Sequence, residues 1–515
     1  MAGWTLEVVW MGRTFTWEGV SARLEESWDL FVTSPGVRSV SFRNVVFPPD
    51  VNPAKQVLLG RRLDVAVGRL LLDGVLHLES RLDAPIFGGV GHPVAFTLRE
   101  PPHEDAGEIP GAFDVELYDS GDQSAVRKVR DVRQQHEHVA KFFPQLSGIA
   151  DSIPWPDVAS TSEDRIYQVV FGTPGHGGLD SGGSAVHWPG SPAPLIDTTL
   201  NAEKLLAAGH RIEIGGGVDP RVYGPNASGV LTSQQLPVFN EVDANGRIVA
   251  TVDMSGAVAV DPTVPGKWWI AWSFTDAVPL SGKAGDLLIF LLRQSTLRLD
   301  FTRIQSIVPR LNEYLLSGYI DHVVVPWQYI SDQLLPILPI APVSGPDGVY
   351  FAMWDPDAPA VDKFVAGPEC VFDFEMGYSD AEVVNQYTLR YRYRGDTGGY
   401  IGTAIASAQN NLYSAISTQA HGLSAQTHET DVVDDRPTAE RICLDQVRMR
   451  GTRHLLIGAD LSRTRYGHRS VGEMVELTVP RFEMTDQLAF ITRLIRDGSS
   501  RITAEFAIVD DPLRM

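Results

Sequence analysis

The sequence predicts a mainly β protein with an α/β insertion, an α+β chain. Three observations carry that reading. Both ends alternate apolar and polar residues in short runs broken by turn dipeptides, the pattern of half-buried strands. Between them, Gly285 to Val343 switches to helical spacing. A hairpin-like segment near the start also aligns without a gap to one near the end, which suggests a repeated β-barrel.

Length and composition set the frame. A chain of 515 residues is too long for one ordinary core, and three or four domains are expected. Hydrophobic residues make up 43% of it, the mean hydropathy is -0.06, and no apolar run approaches the ~18 residues that span a bilayer. Met1 to Arg13 lacks a basic start and a long apolar core, so it reads as a strand and not as a secretory signal. Two cysteines, Cys370 and Cys443, are too few for a disulfide framework and fit synthesis in a reducing cytosol. A net charge of -21 argues against wrapping nucleic acid, which needs a basic face.

In order, residues 1–101 read as the first barrel. Met11-Gly12 and Asp73-Gly74 are its hairpin turns, 37–47 is another strand ended by Pro48-Pro49, and Pro101-Pro102 closes the domain. Residues 102–284 read as an inserted β-rich domain with long loops. They hold a charged helix over 124–144, a strand within 166–175, strand-turn-strand patterns over 210–224 and 246–260, and an apolar strand at 266–274. Loops of that length are more often binding surfaces than accidents.

Residues 285–370 read as a compact α/β unit. Leu287 to Leu292 is apolar on all sides, as in a helix buried whole. Phe301, Ile304, Val308, Leu311 and Leu315 form one helical stripe, with a break expected at Pro309. Tyr319 to Val325 is a β-branched strand, and Pro326 opens a third helix carrying Trp327, Ile330 and Leu334 until Pro336 and Pro339. A hairpin turning at Asp355-Pro356-Asp357 follows.

Residues 371–515 read as the second barrel, opened by strands over 371–394, with an inserted arm near 395–435. Its 398–422 portion, small, polar and aromatic in turn, reads as a protruding loop. A helix follows Asp435, with Ala439, Ile442, Cys443 and Val447 along one side. Residues 472–494 are the partner of 60–82, with identities Gly60/Gly472, Val67/Val479, Arg69/Arg481, Leu76/Leu488, Arg81/Arg493 and Leu82/Leu494. Any two amphipathic hairpins share some likeness, so a repeat and a coincidence both remain open here.

No catalytic, cofactor-binding or metal-binding residue is expected, and no cofactor. Asp180-Ser181-Gly182-Gly183 echoes the nucleophile loop of trypsin-like proteases, but His136, His138 and His176 lack the context of a base. His136-Glu137-His138 does not place two histidines on one helix face. Gly215-Gly216-Gly217 does not fit a dinucleotide fingerprint. The Asp-rich segments at Asp355 to Asp362 and Asp434-Asp435 lack the alternating ligands and distal Glu of a calcium loop, and read as turn chemistry. Paired carboxylates for glycoside hydrolysis depend on spacing in three dimensions, and nothing here points to one.

The run AGDLLIFLLRQSTLRLD, then LNEYLLSGYID, PWQYISDQLLPILP and SGPDGVYFAMW, resembles the middle domain of phage tail hub proteins, the baseplate hub or tail-tip family of tailed bacteriophages. The helix after Asp435, then RHLLIGADLS and Gly472-Glu473-Met474-Val475, is similar to the closing segment of those hubs. About half the chain is covered at motif level; 102–270 matches nothing in it. The resemblance implies two tail-tube-like β-barrels flanking the inserted β domain and the small α/β domain. It implies a homotrimer whose six barrels match a six-fold tube while its three-fold side meets the tip. Implied partners are the distal tail protein or tail tube above, the tape-measure C-terminus, and a central spike or fibre below. DNA would pass through the channel without sequence-specific binding. The implied location is the virion tail tip, after assembly in the host cytoplasm, and the implied role is not enzymatic. A host-binding adsorption or other tail-tip protein, and a β-rich hydrolase, are the alternatives.

Overall fold

A computed structural model of the chain describes residues 3–27, 36–100 except 49 and 88–92, residue 105, and 165–175. It also describes 192–195, 204–208, 220–242 except 227 and 229, 248–258, 268–271, and 282–509 except 323, 380–381 and 395–397. The described part is mostly β, as expected.

The N-terminal strands are β1 (Trp4–Trp10), β2 (Arg13–Val20), β3 (Leu24–Ser27), β4 (Ser39–Val45), β5 (Val67–Leu72), β6 (Val75–Phe87) and β7 (Val94–Arg99). Six of them form one sheet in the order β2-β1-β5-β6-β7-β4. Both predicted turns form: Met11, Gly12, Asp73 and Gly74 all have positive φ, the two-residue hairpin geometry that matches strand twist. Trp4, Leu6, Val8 and Trp10 alternate inward from β1 onto Phe15, Phe47, Leu70 and Leu98. Burying each such side chain contributes about 1.5–3 kcal/mol. A short helix, α1 (Pro53–Leu58), is capped by the Asn52 side chain.

The inserted region contributes β8 (Arg165–Phe171), β9 (Ala193–Pro194), β10 (Lys204–Ala208), β11 (Arg221–Pro225), β12 (Leu231–Gln235), β13 (Val238–Val242), β14 (Ile248–Asp253) and β15 (Trp269–Ala271). They pair as β10-β14-β13 and β12-β11-β15-β9 around a small core with Trp268, Val222 and Val252. β8 is the seam. Val170 faces that core, while Val169 and Phe171 face the main one. The 124–144 helix and most of the loops lie outside the described residues.

In the middle unit, α2 (Ala284–Arg293) buries Leu287, Leu288, Leu291 and Leu292, while Ile289 and Phe290 are half-buried, so the helix is not covered all round. The next helix, α3 (Phe301–Leu311), runs unbroken through Pro309. The proline sits in the last turn, where its missing N–H forfeits one bond just before the helix ends. Leu315 therefore falls off the stripe and is exposed, bridging back to Lys283, and Phe301 is exposed at the helix start. β16 (Gly318–His322) stops short of Val325 and pairs with β8. Pro326 does open a helix, α4 (Pro326–Tyr329), which passes into a π turn over Ile330–Leu334.

The expected hairpin at Asp355-Pro356-Asp357 is absent. β17 (Ile340–Gly345) and β18 (Gly348–Met353) pair across Pro346-Asp347 instead, both buried along their whole length. β19 (Lys363–Val365) runs parallel to a C-terminal strand. Asp355 and Asp357 are held by Arg310 and Arg448, which draws that turn onto two helices and away from a strand partner.

The C-terminal part holds β20 (Cys370–Tyr378), β21 (Gln386–Arg394), β22 (Gly399–Ala406), α5 (Leu412–His421), β23 (Ala425–Glu429), α6 (Arg436–Arg450), β24 (Leu455–Ser462), α7 (Arg463–Tyr466), β25 (Met474–Val479), β26 (Met484–Arg496) and β27 (Arg501–Ile508). The main sheet runs β19-β25-β26-β27-β24-β20, and β3 also pairs with β26. β21 does not share it; it belongs to a separate sheet, β22-β21-β23, laid on α6. The segment expected to be a loop or arm protruding from the barrel holds a strand and a helix. α6 forms as predicted, with Asp435 accepting the Thr438 N–H and Ala439, Ile442, Cys443 and Val447 buried.

Both repeat hairpins form, with their turns out of step. Leu72 pairs with Val75 across Asp73-Gly74, but Val479 pairs with Met484 across a short 3-10 turn. The ungapped alignment puts Asp73-Gly74 opposite Thr485-Asp486, which lie inside β26. Sequence identity there does not mark equivalent positions in the two hairpins.

Candidate functional site

The two terminal sheets meet at a junction built largely by β3. After β2 the chain leaves its own sheet and, three residues later, lies antiparallel to the end of β26, with Leu24 opposite Arg496 and Glu26 opposite Leu494. Strand alternation turns Leu24 and Glu26 inward and Glu25 and Ser27 outward. The outward Glu25 meets Arg493 at 2.7 Å in solvent. The inward Glu26 meets Arg496 at 2.8 Å with side chains 1% and 5% exposed. Arg496 also donates to the Arg469 carbonyl at 2.9 Å. Two desolvated charges survive here because each has a partner; removing either would strand the other.

A second pair ties the first sheet to the middle unit. Arg38, just before β4, meets Glu100, just after β7, at 3.0 Å, and both are shielded from solvent. The same guanidinium donates to the Gly345 carbonyl at 2.6 Å, and the Ser344 hydroxyl donates to Glu100 at 2.6 Å. The β17–β18 turn is thereby fastened to the N-terminal sheet. Asp73, at the tip of the first repeat hairpin, pairs with Arg463 of α7 at 3.3 Å.

His77 is enclosed by these charges. Its ring stands edge-on to Trp4, centroids 5.3 Å apart. Burial, then the positive charges of Arg496 and Arg38, push its pKa down to about 4, so it is neutral at neutral pH. Gly498 also packs on Trp4, with a φ of +83° and a position where a Cβ would lie 2.4 Å from the indole. Tyr350 donates to the Val471 carbonyl at 3.0 Å, and burial raises its pKa well above the usual range.

Two clefts open beside the junction. One, of about 340 Å³, is lined by Arg23, Glu25, Ser27, Val37, Arg38 and Ser344. The other, of about 330 Å³, includes Arg303, Arg310, Tyr350, Asp355, Glu473 and Phe490. In the second, Arg310 is held by Asp355 at 3.1 Å and Glu313 at 2.6 Å. The charges at both clefts are largely spent on ion pairs that join elements. Such an arrangement fixes one sheet against another; it supplies no activated nucleophile or positioned base. Among the described residues, no three His, Cys, Asp or Glu side chains converge as a metal site, and no helix is long and apolar enough to cross a membrane.

His136, Glu137, His138, His176, Asp180 to Gly183 and Gly215 to Gly217 lie outside the described residues. Asp434 accepts the Gly175 N–H at 2.5 Å, and Asp435 caps α6. Glu26, Arg38, His77, Glu100 and Arg496, which make the junction, were not singled out by the sequence patterns. The available signal was a glutamate at an inward position of the short run Leu24–Ser27, an irregularity that asks for a buried cation.

No family model matches the chain, and no curated protein matches it. Solved structures do. The tail protein from Neisseria meningitidis MC58 is 10% identical over 99% of this chain and 97% of its own, at a TM-score of 0.35. The 43 kDa tail protein of prophage MuSo2 from Shewanella oneidensis is 8% identical over 98% of each chain, at 0.33. A prophage tail protein from Listeria monocytogenes EGD-e is 6% identical over 98% of this chain and 94% of its own, also at 0.33. All three are tail proteins, two of them of prophages. At TM-scores below 0.5 the likenesses carry no further argument.

Proposed function

We propose that this chain is the structural hub of a phage tail. Three copies would form a ring that closes the distal end of the tail tube, adapts six-fold to three-fold symmetry through two barrels per chain, and opens when DNA leaves. The tube or distal tail protein would sit above it, the tape-measure C-terminus within, and a spike or fibre below. The observation that carries this reading is the junction: the strand that follows β2 leaves the first sheet and pairs with the end of β26 in the last, locked by a buried ion pair. A part that transmits force between a tube and a tip needs its two ends coupled rigidly, and backbone pairing with desolvated charges does that. The order of the hub-like sequence phrases supports it from the other side.

The test is the particle itself. Antibody labelling of intact virions should mark the tail tip, and purified protein imaged by negative stain should show a closed three-fold ring of roughly three times 56.4 kDa with a pseudo-six-fold face. Label on the capsid or along the tube would sink the reading.

A further inference from the structure

The seat of α5 is polar where a helix seat is ordinarily apolar. The two residues that α5 buries are both serines, Ser414 and Ser417. By comparison α2 buries four leucines, and α6 buries Ala439, Ile442, Cys443, Val447 and Met449. Packing of an apolar face supplies most of a helix's stability in a protein. α5 has little of it, because Leu412 and Ile416 are exposed. Tyr413 packs inward only in part, under the Arg448 guanidinium 5.5 Å from its ring centre.

The polar seat is also poorly paired. Ser414 Oγ and Thr418 Oγ1, one helical turn apart, are both enclosed without a hydrogen-bond partner. A hydroxyl that gives up water and gains no partner costs free energy. Ser417 is satisfied, donating to the Gly451 carbonyl just past α6. Lifting the helix would return the two unpaired hydroxyls to water and would forfeit little apolar burial.

The ends of α5, in contrast, are fastened. Before it, Asn410 Oδ1 accepts the Ser407 N–H at 2.8 Å and its Nδ2 donates to the Ile405 carbonyl at 2.8 Å. After it, the fully buried Asn385 donates to the Gly422 carbonyl at 2.6 Å and accepts the Ser424 N–H at 2.8 Å. Gly422 closes the helix with a φ of +78°, a conformation that favours glycine. α6 does not depend on α5, since it lies on β21 and β22.

We infer that α5 is a strap that lifts from α6 as a unit while the turns at Asn410 and Asn385 hold. The opening is local and leaves the sheets and α6 in place. Elements that move as a protein works are drawn from such low-stability parts. The inference does not rest on the hub reading.

Thiol labelling of Ser414→Cys in native buffer tests it. The change removes no hydrogen bond, and the native Cys370 and Cys443, 0% and 1% exposed, are controls within the same chain. The Cys443 thiol lies against the backbone of Leu389 and Ala406 on the sheet side of α6, so lifting α5 does not uncover it. The introduced thiol should react at least about a hundredfold faster than Cys443, which waits for a larger unfolding. Hydrogen exchange on the unmutated chain is a second readout, expected to be at least about a hundredfold faster over 415–421 than over the protected amides of α6. The double variant Ser414→Ala/Thr418→Val removes both unpaired hydroxyls and should slow exchange in α5 by about tenfold, leaving α6 unchanged. An introduced thiol no more reactive than Cys443, or α5 amides that exchange as slowly as those of α6, overturns the inference. Exchange in the double variant that is unchanged or faster also overturns it, since the hydroxyls would then not weaken the seat. Virion labelling decides the hub reading separately in every case.

Discussion

The junction at β3 and the outer face of α5 are opposites. One buries charge: Glu26 and Arg496 sit inside the protein at 2.8 Å. The other exposes apolar side chains and turns serines inward. Each runs against the ordinary sorting of polar residues outward and apolar residues inward. The difference lies in whether the chain already contains the missing partner. Glu26 finds its arginine within the fold, so that inversion is a matter of stability. Leu412 and Ile416 stay 55% and 38% exposed, with nothing that covers them among the described residues.

The largest effect expected is at the junction. Arg496→Ala leaves Glu26 buried without its cation, and chemical denaturation should show a loss of about 3–5 kcal/mol. The joint change Glu26→Leu/Arg496→Met should recover most of that loss, because no uncompensated charge remains. If the double variant were as damaged as the single one, the pair would be holding geometry that packing alone cannot replace.

His77 gives the junction a pH dependence of known sign. Its folded pKa of about 4 lies below the ordinary histidine value of 6.5, so the folded state favours the neutral ring. The stability tied to it is fully present above pH 6.5 and drains away as pH falls toward 4, because the unfolded chain takes up the proton first. The drop is about 3 kcal/mol across that window. The clean measurement is the difference between wild type and His77→Phe, whose ring can still meet Trp4. The variant should lose less stability than the wild type on acidification; parallel curves would mean that His77 does not carry the effect.

Much of this fold was legible because local patterns agreed with it. Two-residue turns at Met11-Gly12 and Asp73-Gly74, the Asp435 cap and the apolar helix after Ala284 each follow from a short stretch of residues. What failed was non-local. The pairing of β3 with β26 joins residues 24–27 to 493–496, and no periodicity within either segment encodes that choice of partner. β17 and β18 are buried on both faces, so alternation could not set their register or predict that they pair with each other. The 398–422 stretch read as a loop or arm because its buried residues are small, Ala404, Ala406, Ser414 and Ser417 among them, which erases the expected amphipathic signal.

Gly498 tests how closely the junction is packed. Gly498→Ala places a Cβ 2.4 Å from the Trp4 ring at a backbone φ of +83°, where side chains are rarely accepted. Overpacking and left-handed strain together should cost about 2–4 kcal/mol in thermal unfolding. Trp4→Leu in the same background should return part of it, since the smaller side chain vacates the space the methyl needs. No recovery would place the cost in the backbone alone.

The smallest effect falls on the other side of the comparison and sharpens it most. Leu412→Asp removes little buried area, because the side chain is 55% exposed at the first position of α5, where an acidic residue suits the helix dipole. The unfolding free energy of the dissociated chain should therefore move by no more than about 0.5 kcal/mol in either direction. An apolar residue that costs nothing to replace in the fold is not there for the fold. A loss of several kcal/mol would instead make Leu412 part of the chain's own core.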